Sequence, residues 1–535
     1  MNILIKCLFL FVTISSCSDF HENDKKLNVL FIIIDDLNDY VEGYNGHPQS
    51  STPNIAEFAS SAVTFLNAHS PSPMCGASRS SFLTGIYPHN SNNFFQDPWF
   101  NNQVLNNSRT IMEQFQKYGY YTWGTGKVMH HLNKNIWTEY GNPADYGPSV
   151  YNGEEKIAHP YVNEPFRSIG WVDGSFGPLI RLDQGINLND SLQWILGNTN
   201  DGVIPIKFID EKNRDLTPDE NNAYLAVQKI NELAKKDVPF FAAVGFLRPH
   251  TPLIVPKNFF DRFPLDQIQL PEILDSDDID TFLRSMTDGG LNSNKLGKKM
   301  FNSIVQAYDS KELGLKKFVQ AYLACIAAVD ENVGNVLKAL EENNLDKNTI
   351  VVLTSDHGFH MGEKDYLYKN SLWEESTRVP LIIRVPGISM PGKVDRAVSL
   401  IDIYPTLLDL TQLPKNTLKN NLGHSLDGHS LKGLLENTKI GDWSGPEVAL
   451  SLIHSGPDYA DDPTMQHYTI RTNRYRYILY NTGQEELYDH HSDSNEWNNL
   501  ALKVSEYDFI LKEMRSKLTK ITHPYKPKGL SYTNQ

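Results

Sequence analysis

Three apolar runs, far apart in the chain, each end in residues that bind cations or move protons. "LNVLFIIIDDLNDY" ends in Asp35 and Asp36, "NTIVVLTSDHGFHMGEKD" in Asp356 and His357, and "PFFAAVGFLRPHTPLIVP" in Arg248 and His250. Carboxylates are hard oxygen ligands, and gathering several without a cation is costly. Asp35, Asp36 and Asp356 therefore read either as a cation site or as polar residues marking where strands meet water. Cys75, in "PMCGASRSSFLTG", raises a separate question. Its neighbours are Pro, Gly and Ser rather than an apolar pattern, so nothing local gives it a core role. The following "SRSSFLTG" can start a helix, which sets Cys75 at a helix N-terminus where backbone N–H groups favour anions. Only four cysteines occur in 535 residues, too few for a disulfide scaffold. Cys325, in the amphipathic "AYLACIAAVDENVGNVLKAL", reads as a buried core thiol.

The elements that carry these residues follow from their patterns. Continuous apolar runs are buried parallel strands, and helical patterns lie between them, as in "TPNIAEFASSAV" and residues 318–341. That alternation implies an α/β sandwich with a mostly parallel central sheet. In such sheets ligands sit beyond the carboxyl ends of the strands, so the three polar strand ends should converge on one site. After "SLDGHSLKGLLEN" the pattern changes. "YTIRTNRYRYILYNTG" and "EELYDHH" read as antiparallel strands, and "EYDFILKEMRSKLTKI" as a closing helix. The expected division is a large domain over 27–437 and a small C-terminal α+β domain with an antiparallel sheet over 438–535. Residues 140–235 and 275–312 are polar and irregular, and are expected to form long loops over the site.

Composition bounds the function. Hydrophobic residues at 40% and charged residues at 21% describe a soluble globular body, and aromatics at 11% suit surfaces that stack on sugar rings. A formal net charge of −15 argues against a nucleic-acid partner. The N-terminal "MNILIKCLFLFVTISSCSDF" has the form of a signal peptide over 1–16. "ISSC" resembles a bacterial lipobox with Ile14 in place of the usual Leu, so lipidation is expected at Cys17, with 17–26 as linker. The expectation is an exported bacterial lipoprotein, periplasmic or on the cell surface, touching a membrane only through its lipid.

At this point the motifs carry a family resemblance. Cys75-Gly76-Ala77-Ser78-Arg79, followed by "LTG" at 83–85, resembles the type I sulfatase signature Cys-x-Pro/Ala-x-Arg, with Ala77 where Pro is commoner. Its specificity comes from its partners: "DD" at 35–36, "GKVMHH" at 126–131, "RPHTPL" at 248–253, "SDHG" at 355–358, "GEKDYLYK" at 362–369 and "ELYDHHSDSNEWNNLA" at 486–501. The likeness runs from about residue 27 to the end and is nearest to bacterial relatives of iduronate-2-sulfatase, in the alkaline phosphatase superfamily.

The resemblance implies the following. Cys75 is oxidised to formylglycine by a formylglycine-generating enzyme before export. Asp35, Asp36, Asp356, His357 and residue 75 hold one calcium ion, His357 standing where many sulfatases use Asn or Gln. Arg79 orients the formylglycine hydrate, Lys127 and Lys369 grip the sulfate oxygens, and His130 and His250 are the proton-transfer pair. Lys364 is an in-register competitor for Lys369, which the family spacing favours. His131, Arg248 and Trp99 are the candidates for sugar contacts. The substrate expected is a sulfated oligo- or polysaccharide, such as a 2-sulfated uronic acid or an algal polymer like ulvan. Two other readings are a phosphonate or phosphodiester hydrolase of the same superfamily and a non-catalytic glycan-binding homologue.

Overall fold

The computed structural model describes residues 26–182, 192–197, 202–282, 292–439, 441–456, 459 and 461–522. The expected signal peptide over 1–16 and the expected lipidation site Cys17 lie outside these residues. Among the described residues no helix is long and apolar enough to cross a membrane.

The strand Asn28–Ile34 is the centre of the molecule, and all seven of its residues are buried. Its side chains alternate between two cores. Leu30, Ile32 and Ile34 join the layer of the long helix Lys311–Glu342, while Val29, Phe31 and Ile33 join the opposite layer. Burial on both faces is why this segment reads as an unbroken apolar run rather than an alternating one. Its two neighbours are the other two predicted strands, Phe240–Phe246 and Thr349–Ser355, both parallel to it. The register sets Ile34 opposite Phe246 on one side and Ser355 on the other, so the three polar strand ends emerge at one level. The Asp35 amide continues the ladder by donating to the Phe246 carbonyl at 3.0 Å.

The full sheet has nine strands. The path runs Gly392–Val394, Val63–His69, Arg378–Arg384, Thr349–Ser355, Asn28–Ile34, Phe240–Phe246, Tyr121–Gly126 and Glu139–Pro143, with Val398–Ser399 also pairing on Val63–His69. Only Arg378–Arg384 runs against its neighbours. The C-terminal sheet is a four-stranded antiparallel meander of Ala449–Ile453, His467–Arg471, Tyr475–Leu479 and Glu485–Asp489. The helix Val504–Thr522 lays Leu511, Met514 and Leu518 onto it. This sheet is joined to the large one directly: the Leu452 amide donates to the Pro71 carbonyl at 3.1 Å, four residues before Cys75.

Two expected loop regions contain helices. Pro218–Leu233 begins with a capping box in which Thr217 and Glu220 satisfy each other's backbone amides, and it buries Ala223, Ala226, Ile230 and Leu233. Asn292–Ala307 buries Met300, Ile304 and Ala307. Each helix has a narrow apolar stripe beneath a broad polar face, so mean polarity concealed the period. The other described residues of 140–235 include short paired strands, among them Phe176–Leu179 alongside Leu253–Pro256, joined by irregular segments and the 3-10 helix Phe166–Ile169.

A tight crossing sets the last strand end. Gly126 has φ +74° and lies against the Gly245 carbonyl, while a Cβ on Gly245 would collide with the Lys127 carbonyl and the Val128 amide. The Lys127 amide donates to Gly245 at 2.9 Å. Backbone therefore meets backbone where Lys127 enters the site, with no side chain able to yield. Gly245→Ala should cost roughly 1–3 kcal/mol, the usual penalty for overpacking. Thermal melting checks it, and an unchanged midpoint would show that the crossing relaxes.

Candidate active site

Cys75 is the first residue of the helix Cys75–Thr84 and is 1% exposed. Arg79 lies one turn further along, on the same face. Its guanidinium joins three strand ends: Nε donates to Asp356 Oδ2 at 2.8 Å, Nη2 to Asp35 Oδ1 at 2.8 Å, and Nη1 to the Lys127 and Val128 carbonyls. Ser78 Oγ, from the same turn, donates to the Asp356 carbonyl at 2.6 Å. Arg79 is thus spent on the carboxylates and the backbone that surround residue 75.

Consecutive residues of a strand point to opposite faces, which would separate the side chains of Asp35 and Asp36. Asp36 avoids this by adopting a left-handed backbone, φ 60°, a conformation rarely used outside glycine. The Tyr322 hydroxyl donates to the Asp36 carbonyl at 2.7 Å, and the Asp36 amide donates to Asp356 Oδ1 at 3.2 Å. Both carboxylates therefore face inward. Asp35 accepts from Arg79 and Lys127, while Asp36 accepts from Lys369 Nζ at 2.8 and 3.0 Å.

His357 hydrogen-bonds through Nδ1 to the Gly358 carbonyl at 3.1 Å, leaving Nε2 3.2 Å from Cys75 Sγ. The ligand atoms of Cys75, Asp356 and His357 lie within 4.8 Å of one another, as do those of Asp35, Asp36, Cys75 and His250. Three buried carboxylates, an imidazole and residue 75 form a donor set that fits one divalent cation.

The electrostatics agree with the geometry. Burial opposes every charge here, so each shift reports whether burial or the partners prevail. Asp35 holds the Lys127 ammonium, and Asp36 the Lys369 ammonium, above their ordinary values despite burial. Lys127, Lys369 and His357 together press the Cys75 thiol well below its usual range, again against burial. Burial raises Asp356 to about 6. Burial would lower His357, but Asp356 and Cys75 carry it up to about 9.

The histidines divide by surroundings. His250 Nδ1 engages the Thr251 carbonyl at 2.6 Å, which turns Nε2 to within 3.9 Å of Asp36 Oδ2. His130 is half-buried beside residue 75, its Nδ1 lacks a partner, and burial lowers its pKa. His131 stacks edge-on to His130 with ring centres 4.8 Å apart and bonds the Gln96 carbonyl.

Two expected sugar contacts are placed otherwise. Arg248 is 4% exposed, and its guanidinium donates to the carbonyls of Tyr146, Gly147, His250 and Ile254. A buried guanidinium needs its donors filled, and backbone fills them, so Arg248 braces the His250 loop. Trp99 is 3% exposed within the core, and its Nε1 supports the His131 carbonyl at 3.2 Å. Lys364 and Lys369 separate just as clearly. Lys364 pairs with Asp277 at 2.9 Å, whereas Lys369 Nζ reaches Asp36 and lies 3.3 Å from Cys75 Sγ. Tyr146 carries no motif and gives no signal in the sequence. Its ring centre lies 5.1 Å from Lys127 Nζ and 5.2 Å from the His250 ring.

Comparison with known proteins matches residues 27–413 to the family described as Sulfatase, and 362–524 to the one described as N-sulphoglucosamine sulphohydrolase, C-terminal. The chain is similar to a protein named Sulfatase from Formosa agariphila, 34% identical, covering 89% of this chain and 83% of the relative. It is similar to an Ulvan-active sulfatase from the same organism, 28% identical over 95% of this chain and 84% of that one. Iduronate 2-sulfatase from Homo sapiens is 29% identical over 75% and 68%. Among solved structures, a 2-O GAG sulfatase superposes with a TM-score of 0.62 at 24% identity, covering 92% of this chain and 91% of the other. A phosphonate monoester hydrolase from Silicibacter pomeroyi superposes at 0.66 with 19% identity, covering 95% and 97%; these two likenesses are of fold.

The His357 shift makes a pH prediction. A proton held more tightly in the folded state stabilises fully below the ordinary pKa of 6.5 and is lost as pH rises through about 9. Chelated Cys75→Ala protein, in which no thiolate titrates and Asp356 remains the partner of His357, should melt at progressively lower temperature as pH rises above 6.5. Added calcium should flatten that slope, because a ligating imidazole has already released its proton. A slope indifferent to calcium would remove His357 from the donor set.

Proposed function

This chain belongs to the sulfatase family of sulfuric ester hydrolases, and we propose that it releases sulfate from a sulfated polysaccharide or its oligosaccharide fragments. The carrying observation is the pair of buried ammonium groups, Lys127 and Lys369, flanking residue 75 at the end of a parallel sheet. Two buried cations beside a nucleophile position suit a tetrahedral anion. The similarity to an ulvan-active enzyme and to iduronate 2-sulfatase supports a saccharide as the sulfate carrier.

In this reading Cys75 is converted to formylglycine, whose hydrate supplies one hydroxyl to take up the sulfate and a second to expel it. Asp35, Asp36, Asp356 and His357 hold one calcium ion, which supplies Lewis acidity beside the nucleophile. Arg79 fixes Asp35 and Asp356, so the ligand geometry is set before substrate arrives. Lys127 and Lys369 hold the non-bridging sulfate oxygens, where negative charge grows in the transition state. His250, with Nδ1 committed to Thr251, uses Nε2 to donate a proton to the departing sugar oxygen. His130, kept neutral by burial, accepts the proton released in the second half of the cycle. We further propose export with a lipid on Cys17, which places the enzyme where polymers are met.

The test is sulfate release from a panel of sulfated oligosaccharides that includes 2-sulfated uronates and ulvan fragments. The protein is made with a formylglycine-generating system, and residue 75 is verified by mass. One or more substrates should release sulfate with wild-type protein and none with Cys75→Ala. His250→Gln should lower kcat by roughly 10²–10⁴-fold, the usual worth of a general acid. No release from any saccharide, with the aldehyde confirmed, would turn attention to phosphoesters assayed in parallel.

A further inference from the structure

The segment "ELYDHHSDSNEWNNLA" stands more than 110 residues after Lys369 and contains none of the groups in the site. Its carboxylates nevertheless reach the loop that carries Lys369. Glu496 is 2% exposed and has a left-handed backbone, φ 58°. Its Oε2 accepts from the Glu374 amide at 3.0 Å, and its carbonyl accepts from Lys364 Nζ. Its Oε1 is held by Arg476 Nε and by His490 Nε2, the latter at 2.9 Å. Arg476, with no exposed surface, spans onward to the Leu372 carbonyl at 3.0 Å and to the Glu374 carboxylate. The next residue along the loop, Trp373, donates Nε1 to Glu486 Oε2 at 2.9 Å. Positions 364, 372, 373 and 374 are therefore all tied to the C-terminal sheet and its following turn, and Lys369 projects from between these ties.

Stability alone does not account for such a network. Burying four or more charges costs as much as their pairing returns, and well-packed apolar residues would serve equally well. Charged pairs with fixed donor directions do something apolar contacts cannot, which is to specify one register. Within the loop the Tyr366 hydroxyl donates to the Lys369 carbonyl at 3.0 Å, and the Asn370 amide donates to Pro73, two residues before Cys75. The ties from the C-terminal sheet and the contact with the Cys75 helix thus bracket one lysine.

We propose that Glu496 and Arg476 of the C-terminal subdomain are positioning residues for Lys369, fixing its ammonium against residue 75. The inference rests on the reading of Lys369 as a sulfate-gripping group. It gives the 486–501 motif a part in the reaction although none of its atoms touches the substrate.

A double-mutant cycle tests it. Wild type, Lys369→Ala, Glu496→Gln and the double variant are compared for kcat/KM on the saccharide that the panel turns over fastest, with melting temperature measured alongside. Glu496→Gln keeps shape and removes charge, and should lower kcat/KM about ten- to hundredfold, the scale of an ångström-sized misplacement. Added to Lys369→Ala, it should lower kcat/KM by less than about threefold further, because the group it positions is gone. If the Glu496→Gln loss recurs in full on the Lys369→Ala background, or if Glu496→Gln alone retains wild-type kcat/KM, the inference is overturned. If Lys369→Ala itself retains wild-type kcat/KM, the sulfate-gripping reading falls, and the inference with it. Should Glu496→Gln fail to fold, Arg476→Lys runs the same cycle, since it keeps the charge but loses the planar fork.

Discussion

The structure depends on one buried guanidinium. Three carboxylates meet at the ends of two adjacent strands, and water is excluded from all of them. Left to themselves they would repel and take up protons. Arg79 binds two of them and two backbone carbonyls at once, so a single planar group fixes Asp35, Asp356 and the turn that presents Lys127. A lysine there offers one point charge and cannot set three directions. Because Arg79 follows Cys75 by one helical turn, the same helix sets the nucleophile position and the ligand carboxylates together. The spacing of the signature is the spacing of that turn.

Around this centre the molecule alternates charges in layers. Lys127 pairs with Asp35 and Lys369 with Asp36 near residue 75, His130 and His250 lie beside them, and Arg248 braces His250 with its donors turned to the backbone. Arg79, Lys127 and Lys369 are each paired with a buried carboxylate, so a chain with net charge −15 concentrates its cations beside residue 75. The two sheets divide the labour. The parallel sheet supplies residues at its carboxyl edge, while the antiparallel sheet supplies none of the groups around residue 75 and instead grips the loop carrying Lys369. Its strand Ala449–Ile453 also runs beside Pro71, so it supports the approach to Cys75 as well.

Much of the site is legible in the sequence. Apolar runs ending in Asp or His mark parallel strand ends, because burial on both faces leaves polarity only where a strand leaves the core. Cys75 and Arg79 were legible from their one-turn spacing, read with the family's signature. Residues placed by tertiary contact were not. Arg248 and Trp99 have the right types for sugar binding, yet both are buried, and sequence does not say which way a large side chain turns. Tyr146 lies in an irregular stretch with no period to betray it. The helices Pro218–Leu233 and Asn292–Ala307 hid within polar composition.

The family resemblance pointed to the charged residues assembled at the site, and the amino-acid sequence by itself determined the class of fold and the strands that carry the chemistry. These follow from local patterns: runs, caps and fixed spacings that any fold must respect. The family spacing favours Lys369 over Lys364, but only the tertiary structure supplies the physical reason why one of two lysines five residues apart enters the site. Lys364 and Lys369 are chemically identical and adjacent in register. The choice falls to Asp277 and the Glu496 carbonyl on one side, and Asp36 on the other, partners brought from 87, 132 and 333 residues away. A buried ammonium goes where its counter-charges are, and those positions exist only once the chain has folded.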